Sequence, residues 1–367
     1  MKKVGLIVNP IAGMGGSVGL KGTDGDTYKQ ALKMGAIPVA PSRMMQFFSH
    51  LKHKENYNFL VAPGKMGEDL IKTHRYKFEV VGKIGKETTS EDTIRIAKTM
   101  LTKKIELLIL CGGDGTARDI YDAIDMKKPV IAIPSGVKMF SSVFALNPRA
   151  AAKLLDSCLI ENIDTEEREV LDIDEESFRQ GRLDSQLHGF LKVPKIQKLI
   201  QSSKDSSMRG SSVEENKHEI ALDVIEKMED DTLYLLGPGT TVKSITDQLR
   251  LKKTLLGVDA IYNKKFISSD LNEKEILKLL VKYEKVKIVV TPIGGQGFIF
   301  GRGNKQLTPL VIKKIGKENI IVISTKEKIR TLECLRVDTG DSEIDNILKG
   351  LVKLVTGYKE EMIKKVE

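Results

Sequence analysis

The chain has 367 residues, of which 41% are hydrophobic, and this length and composition predict two globular domains with separate buried cores. Intrinsic disorder is excluded as the default state. The net charge is +9, but because the basic residues are scattered among acidic ones without interleaved aromatic side chains, we do not expect a nucleic-acid-binding protein. No apolar stretch approaches the roughly 18 residues that cross a bilayer, and the chain starts without a signal-peptide pattern, so we expect no membrane partner and a cytoplasmic location.

The first 150 residues alternate short β-rich runs with amphipathic segments. Strands are predicted at 4–8, 59–62, 78–81, 105–111 and 130–133, and helices at 42–53, 65–75 and 90–104. Strands that are apolar on both faces and separated by helices are typical of a parallel sheet covered on both sides. The sequence therefore predicts an α/β fold whose N-terminal domain is a doubly wound parallel sheet, with ligands beyond the carboxyl ends of its strands.

The pattern changes after a helix predicted at 148–158. Strands at 169–174 and 188–193 predict a β-rich second domain over residues 151–341. Within it, Ser202 to Lys217 is rich in Ser, Gly and mixed charge, which predicts a mobile loop. Apolar residues at helical spacing after Ser342 predict a C-terminal helix as far as Ile363, in a segment (342–367) that can pack on the first domain. Three widely separated cysteines without a CxxC pair predict neither disulfides nor a thiolate metal site.

A turn with the sequence GGDGT, Gly112 to Thr116, follows the buried strand at 105–111 and leads into a helix. Glycines let backbone N–H groups approach a phosphate closely, and the helix dipole favours negative charge there. Asp114 would repel a phosphate, so its presence suggests another role. It can accept a proton from an attacking hydroxyl, bind Mg²⁺, or simply cap the helix.

Other glycine-rich turns also follow predicted strands, and we expect nucleotide contacts from them, with plain loop or helix-capping roles as the alternative. None fits a P-loop or a dinucleotide-binding GxGxxG motif. A further turn at 291–297 either closes over the nucleotide or is a simple tight turn. The expected nucleotide-binding residues are Asn9, Gly13, Gly15, Gly16 and Asp24 in the first turn and its continuation, Gly112, Gly113, Gly115 and Thr116 in the GGDGT turn, Ser135, Gly136 and Lys138 after the strand at 130–133, and Gly239, Thr240 and Thr241 after a strand at 233–236.

The GGDGT turn, with Asn9-Pro10 upstream, resembles the superfamily of NAD kinases, diacylglycerol and sphingosine kinases and bacterial phosphofructokinases. The match is closest to its ATP-NAD kinase-like branch, which includes the acetoin catabolism accessory protein. Further similar stretches cover nearly the whole chain: 9–25, 133–145, 290–304 and 336–340. The resemblance implies an N-terminal α/β domain, a β-rich C-terminal domain and a bound nucleotide.

By this resemblance, Asp114 corresponds to the aspartate that deprotonates the adenosine ribose 2′-hydroxyl of NAD for attack on the γ-phosphate of ATP. Mg²⁺ would neutralise the phosphates, with Asp114 also a candidate ligand, and members of the superfamily often form homo-oligomers. The sequence departs from NAD kinases where an Asn-acid pair would hold the NAD riboses, because it carries Leu187-His188-Gly189-Phe190 there. The alternatives are therefore a kinase for another hydroxyl acceptor and a nucleotide-binding accessory protein without turnover.

Overall fold

A computed structural model describes residues 1–20, 26–137, 139–160, 164–173, 185–196, 199–200 and 211–367 of the protein. The chain divides into two compact units: the first comprises Met1–Met14 and Gly22–Ser203, and the second comprises Gly15–Lys21 and Lys204–Glu367. This division differs from the predicted boundary at residue 150. The reason is that Val170 and Leu191, which lie beyond that boundary, are buried in a core of the first unit.

The first unit contains a five-stranded parallel sheet with a hydrophobic core on each face. Its strand order is β3-β2-β1-β4-β5, and its helices cover both faces, so the predicted doubly wound α/β domain is confirmed. The strands are β1 (Lys2–Val8), β2 (Tyr57–Val61), β3 (Lys77–Val80), β4 (Leu107–Gly112) and β5 (Val130–Pro134), and the helices are α1 (Asp26–Lys33), α2 (Ala40–His50), α3 (Glu68–Ile71), α4 (Ser90–Thr102), α5 (Asp114–Ile124) and α6 (Pro148–Ile160).

The topology of this sheet locates a ligand crevice. The chain leaves β1 towards β2 on one side and leaves β4 towards β5 on the other, while β1 and β4 are neighbours with Val8 opposite Cys111. In open α/β sheets, ligands bind at such a switch point, outside the carboxyl ends of the strands. An antiparallel hairpin of β6 (Thr165–Ile173) and β7 (Ser185–Pro194) completes the unit.

The second unit contains a mixed seven-stranded sheet in the order β10-β9-β8-β11-β13-β15-β16, which confirms a second domain built on a sheet. Strands β8, β11, β13 and β15 are parallel, and antiparallel pairs flank them. The strands of this sheet are β8 (Thr232–Leu236), β9 (Asp259–Tyr262), β10 (Lys265–Ser268), β11 (Lys285–Val290), β13 (Ile320–Ile323), β15 (Gly350–Gly357) and β16 (Glu360–Val366); β12 (Phe298–Phe300) pairs with β14 (Arg336–Val337) separately. The helices are α7 (Ser211–Glu226), α8 (Thr240–Gln248), α9 (Glu273–Lys282), α10 (Pro309–Ile315), α11 (Lys326–Thr331) and α12 (Ser342–Leu348).

One predicted element of the second unit is wrong, and another is wrong over part of its range. Of the loop predicted over 202–217, residues 202–210 lie outside the described residues. Residues 211–217 are not a loop but form the first turns of α7, whose Ile220 and Val224 are buried. The C-terminal helix ends at Leu348, because Gly350 adopts a φ of +110° and the chain then forms the β15–β16 hairpin. None of the helices in the described parts is both long and apolar enough to span a membrane.

Candidate functional site

Backbone hydrogen bonds join three sequence-predicted turns at the carboxyl edge of the first sheet. The N–H groups of Ser135 and Gly136 donate to the carbonyl oxygen of Gly112 over 2.9 and 3.2 Å, and Asn9 N–H donates to the carbonyl oxygen of Cys111 over 2.9 Å. The turns after β1, β4 and β5 therefore form one connected rim at the switch point.

Side chains of Asn9 and Thr116 reinforce this rim. Asn9 Nδ2 donates to Thr116 Oγ1 over 3.0 Å, and Asn9 Oδ1 accepts from the N–H of Ile11 over 3.2 Å. Thr116 is only 2% exposed. In this geometry both residues position the turns, and their predicted contact with a nucleotide stays a prediction.

Glycine is required where the turns approach each other most closely. Gly13 has a φ of +81°, and a Cβ on it would lie 1.9 Å from the carbonyl oxygen of Ser135. A Cβ on Gly112 would lie 2.4 Å from Thr116 Cβ. Gly15 and Gly16, by contrast, belong to the second unit, so the first glycine turn is divided between the two units.

The Asp114 carboxylate joins the start of α5 to the loop after β5. Asp114 is half-buried, and its Oδ2 accepts from Phe140 N–H over 2.7 Å while its Oδ1 accepts from Ser141 N–H over 3.0 Å. The N-cap of α5 is Gly113, so Asp114 is not the capping residue that one sequence alternative proposed. The two ionised oxygens of a carboxylate offer about four lone pairs. These two backbone donors therefore do not by themselves use every lone pair of the carboxylate.

The same loop is anchored on its other side. Ser141 Oγ accepts from Leu171 N–H, and Ser142 Oγ accepts from Glu169 N–H, each over 3.0 Å. Asp114 thus contacts a segment that is itself fixed to β6. The backbone donors of Phe140 and Ser141 were missed by sequence reasoning, because a main-chain N–H leaves no residue-type signal.

Two family models match the chain. A model of the ATP-NAD kinase N-terminal domain matches residues 4–163, and a model of the ATP-NAD kinase C-terminal domain matches residues 229–366. The chain belongs to the ATP-NAD kinase family. Both matched models describe domains of ATP-dependent kinases.

Two solved structures are distantly similar to this member of the ATP-NAD kinase family. A putative diacylglycerol kinase from Bacillus anthracis str. Sterne is 17% identical, with 46% of this chain and 44% of that chain covered and a TM-score of 0.24. A second diacylglycerol kinase structure from the same organism has the same identity and coverage and a TM-score of 0.22. The chain therefore spans less than half the length of these two structures. No curated protein matches the chain.

The structure does not place the other residues that were predicted to bind a nucleotide on the rim formed by the turns after β1, β4 and β5. Asp24 and Lys138 fall outside the described residues. Gly239, Thr240 and Thr241 lie at the carboxyl edge of the second sheet, where Gly239 is the N-cap of α8. Their predicted role as nucleotide ligands stays a prediction.

His188 lies in the segment where the resemblance would place an Asn-acid pair, and in the structure it contacts residues of the first unit. His188 Nε2 lies 2.9 Å from Asp122 Oδ1, and its ring centroid lies 5.4 Å from that of Tyr121. A Cβ on the adjacent Gly189 would lie 2.3 Å from the Tyr121 ring. These contacts attach β7 to α5.

Metal binding was predicted for Asp114. Across the described ranges, no group of three or more His, Cys, Asp or Glu side chains could hold a metal ion. Mg²⁺ is commonly bound through one or two carboxylates together with substrate phosphates, so a single carboxylate such as Asp114 fits a metal that arrives with ATP. Ligation by Asp114 stays a prediction.

Proposed function

We propose that the protein transfers the γ-phosphate of ATP to the 2′-hydroxyl of NAD, giving NADP. Membership of the ATP-NAD kinase family supports the reaction class. The observation that carries the proposal is the position of the Asp114 carboxylate, which is half-buried among glycine turns at the sheet's switch point. A cytoplasmic location and a homo-oligomeric state remain expectations from the sequence and the family resemblance.

Phosphoryl transfer depends mainly on positioning and electrostatic stabilisation. Asp114 would accept the proton of the attacking ribose hydroxyl. The hydroxyl oxygen would bond to the γ-phosphorus of ATP while the bond between that phosphorus and the ADP oxygen breaks. The hydrogen bonds from Phe140 and Ser141 would hold the carboxylate in one orientation during this step. Mg²⁺ bound with ATP would neutralise phosphate charge.

A second candidate is a nucleotide-binding accessory protein without turnover. It is favoured by the same hydrogen bonds, because both oxygens of Asp114 already accept backbone N–H groups. In that case the carboxylate would only fix the loop after β5.

The purified chain, incubated with ATP, Mg²⁺ and NAD and with a panel of other hydroxyl acceptors, separates these candidates. Formation of NADP supports the leading proposal. Transfer to another acceptor alone reassigns the substrate, and nucleotide binding without any transfer favours the accessory role.

A further inference from the structure

The seven-stranded sheet of the second unit ends on the strand β16. This strand has seven residues, whereas β10, at the opposite edge of the same sheet, has four. Six of the seven residues of β16 are exposed or half-buried, and Val366 is buried. An edge strand presents a row of backbone N–H and C=O groups that can pair with a strand of another chain. β16 is therefore the longer of the two edges that this sheet offers to a partner.

Existing hydrogen bonds show which backbone groups of β16 point away from β15. The Lys365 carbonyl oxygen accepts from Leu335 N–H over 2.8 Å, and Glu367 N–H donates to the Leu335 carbonyl oxygen over 2.9 Å. Every second residue of a strand presents its N–H and C=O groups to the same side, so those of Ile363 and Glu361 come next along this outer edge. Within the described part of the chain, Leu335 covers the last residues of the edge, and no strand pairs with it over 360–364.

Exposed apolar side chains lie beside this open edge. Ile363 is 62% exposed, and Leu351, its diagonal neighbour on β15, is 72% exposed. Met362, on the other face of the strand, is 37% exposed. Neighbouring apolar side chains that water can reach are typical of a surface that another protein covers.

The charges along β16 are arranged to pair with a second copy of the same strand. Its sequence, EEMIKKV, has acidic residues at the first end and basic residues towards the last. In an antiparallel, two-fold pairing centred on Met362, Glu360 of one copy lies opposite Lys364 of the other. In the same pairing, Glu361 of each copy can exchange backbone hydrogen bonds with Ile363 of the other, through the groups that point outward. Opposite charges directly across an antiparallel pair are stabilising, and like charges are destabilising.

Other pairings of the two strands fit these groups less well. A pairing centred on Ile363 would use the backbone groups of Lys365, whose carbonyl oxygen already accepts from Leu335. A pairing centred on Glu361 would place two glutamates opposite each other. An in-register parallel pairing would set every charged residue beside its own copy, so the antiparallel pairing centred on Met362 is favoured.

We propose that β16 docks against β16 of a second copy of this chain, in the antiparallel pairing centred on Met362, so that the two seven-stranded sheets become continuous. Glu360 lies 2.5 Å from the Lys326 ammonium within its own chain. A carboxylate has about four lone pairs, so Glu360 accepts from Lys364 of the second copy as well. The surface belongs wholly to the second unit and does not depend on the proposed reaction at Asp114.

Charge reversal on the full chain tests this pairing by sedimentation over a range of protein concentrations. Glu360→Lys and Lys364→Glu each replace opposite charges with like charges at both symmetric positions, so each should weaken self-association about 10- to 100-fold. An equimolar mixture of the two variants places opposite charges across the pairing again, and so does the double variant. Both should associate within about threefold of the wild type.

The exposed pair of Lys313 on α10 and Glu343 on α12 provides matched controls. Lys313→Glu and Glu343→Lys make the same changes of charge away from β16, and self-association should stay within about twofold of the wild type. Restored association in the mixture shows at the same time that the single variants are folded.

Three results would overturn the proposal: a wild type that stays monomeric at every concentration, single variants that associate as the wild type does, and a mixture that associates no better than either variant alone. Phosphate transfer has no part in this measurement. A failure of the proposed reaction and a failure of this docking surface are therefore distinguishable.

Discussion

Replacing Asp114 with Asn tests whether this residue is a proton acceptor or only a structural link. The carboxylate accepts two backbone hydrogen bonds, of 2.7 Å from Phe140 and 3.0 Å from Ser141. Asparagine has one side-chain oxygen and would place an NH₂ group against the other N–H. One hydrogen bond to a charged acceptor is lost, at about 1.5–3 kcal/mol, and the unfolding temperature should fall by several degrees. If Asp114 also accepts the substrate proton, turnover should fall by about 10² to 10⁴-fold with nucleotide binding retained.

A second variant separates these two effects. Ser142→Ala removes the hydroxyl that accepts from Glu169 N–H over 3.0 Å, so it loosens the same loop while leaving the carboxylate intact. We expect a smaller loss of turnover in this variant than in Asp114→Asn, less than about tenfold. Transfer rates would be measured well below both unfolding temperatures, with ATP affinity determined separately. Equal losses of turnover in the two variants, or full activity in Asp114→Asn, would refute the role as proton acceptor.

Three further predictions concern the packing of both units. Gly13→Ala should cost about 3 kcal/mol or more of unfolding free energy, because the new Cβ would lie 1.9 Å from the carbonyl oxygen of Ser135. Gly19→Ala should cost only about 1–2 kcal/mol, because Gly19 has the same φ of +81° but no atom nearer than 3.6 Å to the new Cβ. Equal costs of the two variants in denaturant titrations would contradict this geometry. A double-mutant cycle of Asn9→Ala and Thr116→Ala should give a coupling of about 0.5–1.5 kcal/mol for their 3.0 Å hydrogen bond, and strict additivity would argue against that bond. Burial lowers the pKa of Lys253 from 10.5 to about 8, so between pH 8 and 10.5 the folded state binds fewer protons than the unfolded state. The stability of the wild type relative to Lys253→Met should therefore rise as the pH rises through this window. A difference in melting temperature that does not change with pH would disprove the shift.

Two strands of the first sheet, β4 and β5, were predictable because they are continuous apolar runs. Residues 107–112 and 130–134 are buried throughout, and both strands were located to within two residues at each end. Their turns were correctly assigned to the carboxyl edge, since parallel strands bring those ends together. The link from Asp114 to Phe140 could not be predicted, because it depends on the path of a loop that β6 anchors.

The second unit was harder to predict because local patterns there fit more than one structure. Ile344, Ile347, Leu348, Leu351 and Leu354 follow helical spacing, yet the helix stops before Gly350, whose φ of +110° starts a new strand. Leu354 is then buried by pairing within the sheet. The polar start of α7 was assigned to a loop because its buried residues come only later in the helix.

The second unit is built from two separate stretches of the sequence, because residues 15–21 belong to it whereas Gly22–Ser203 belong to the first unit. The Ser17 carbonyl accepts from Glu273 N–H over 3.1 Å, so this short stretch is hydrogen-bonded to the later part of its own unit. A single cut near residue 204 would therefore leave the later fragment without a piece of its own unit.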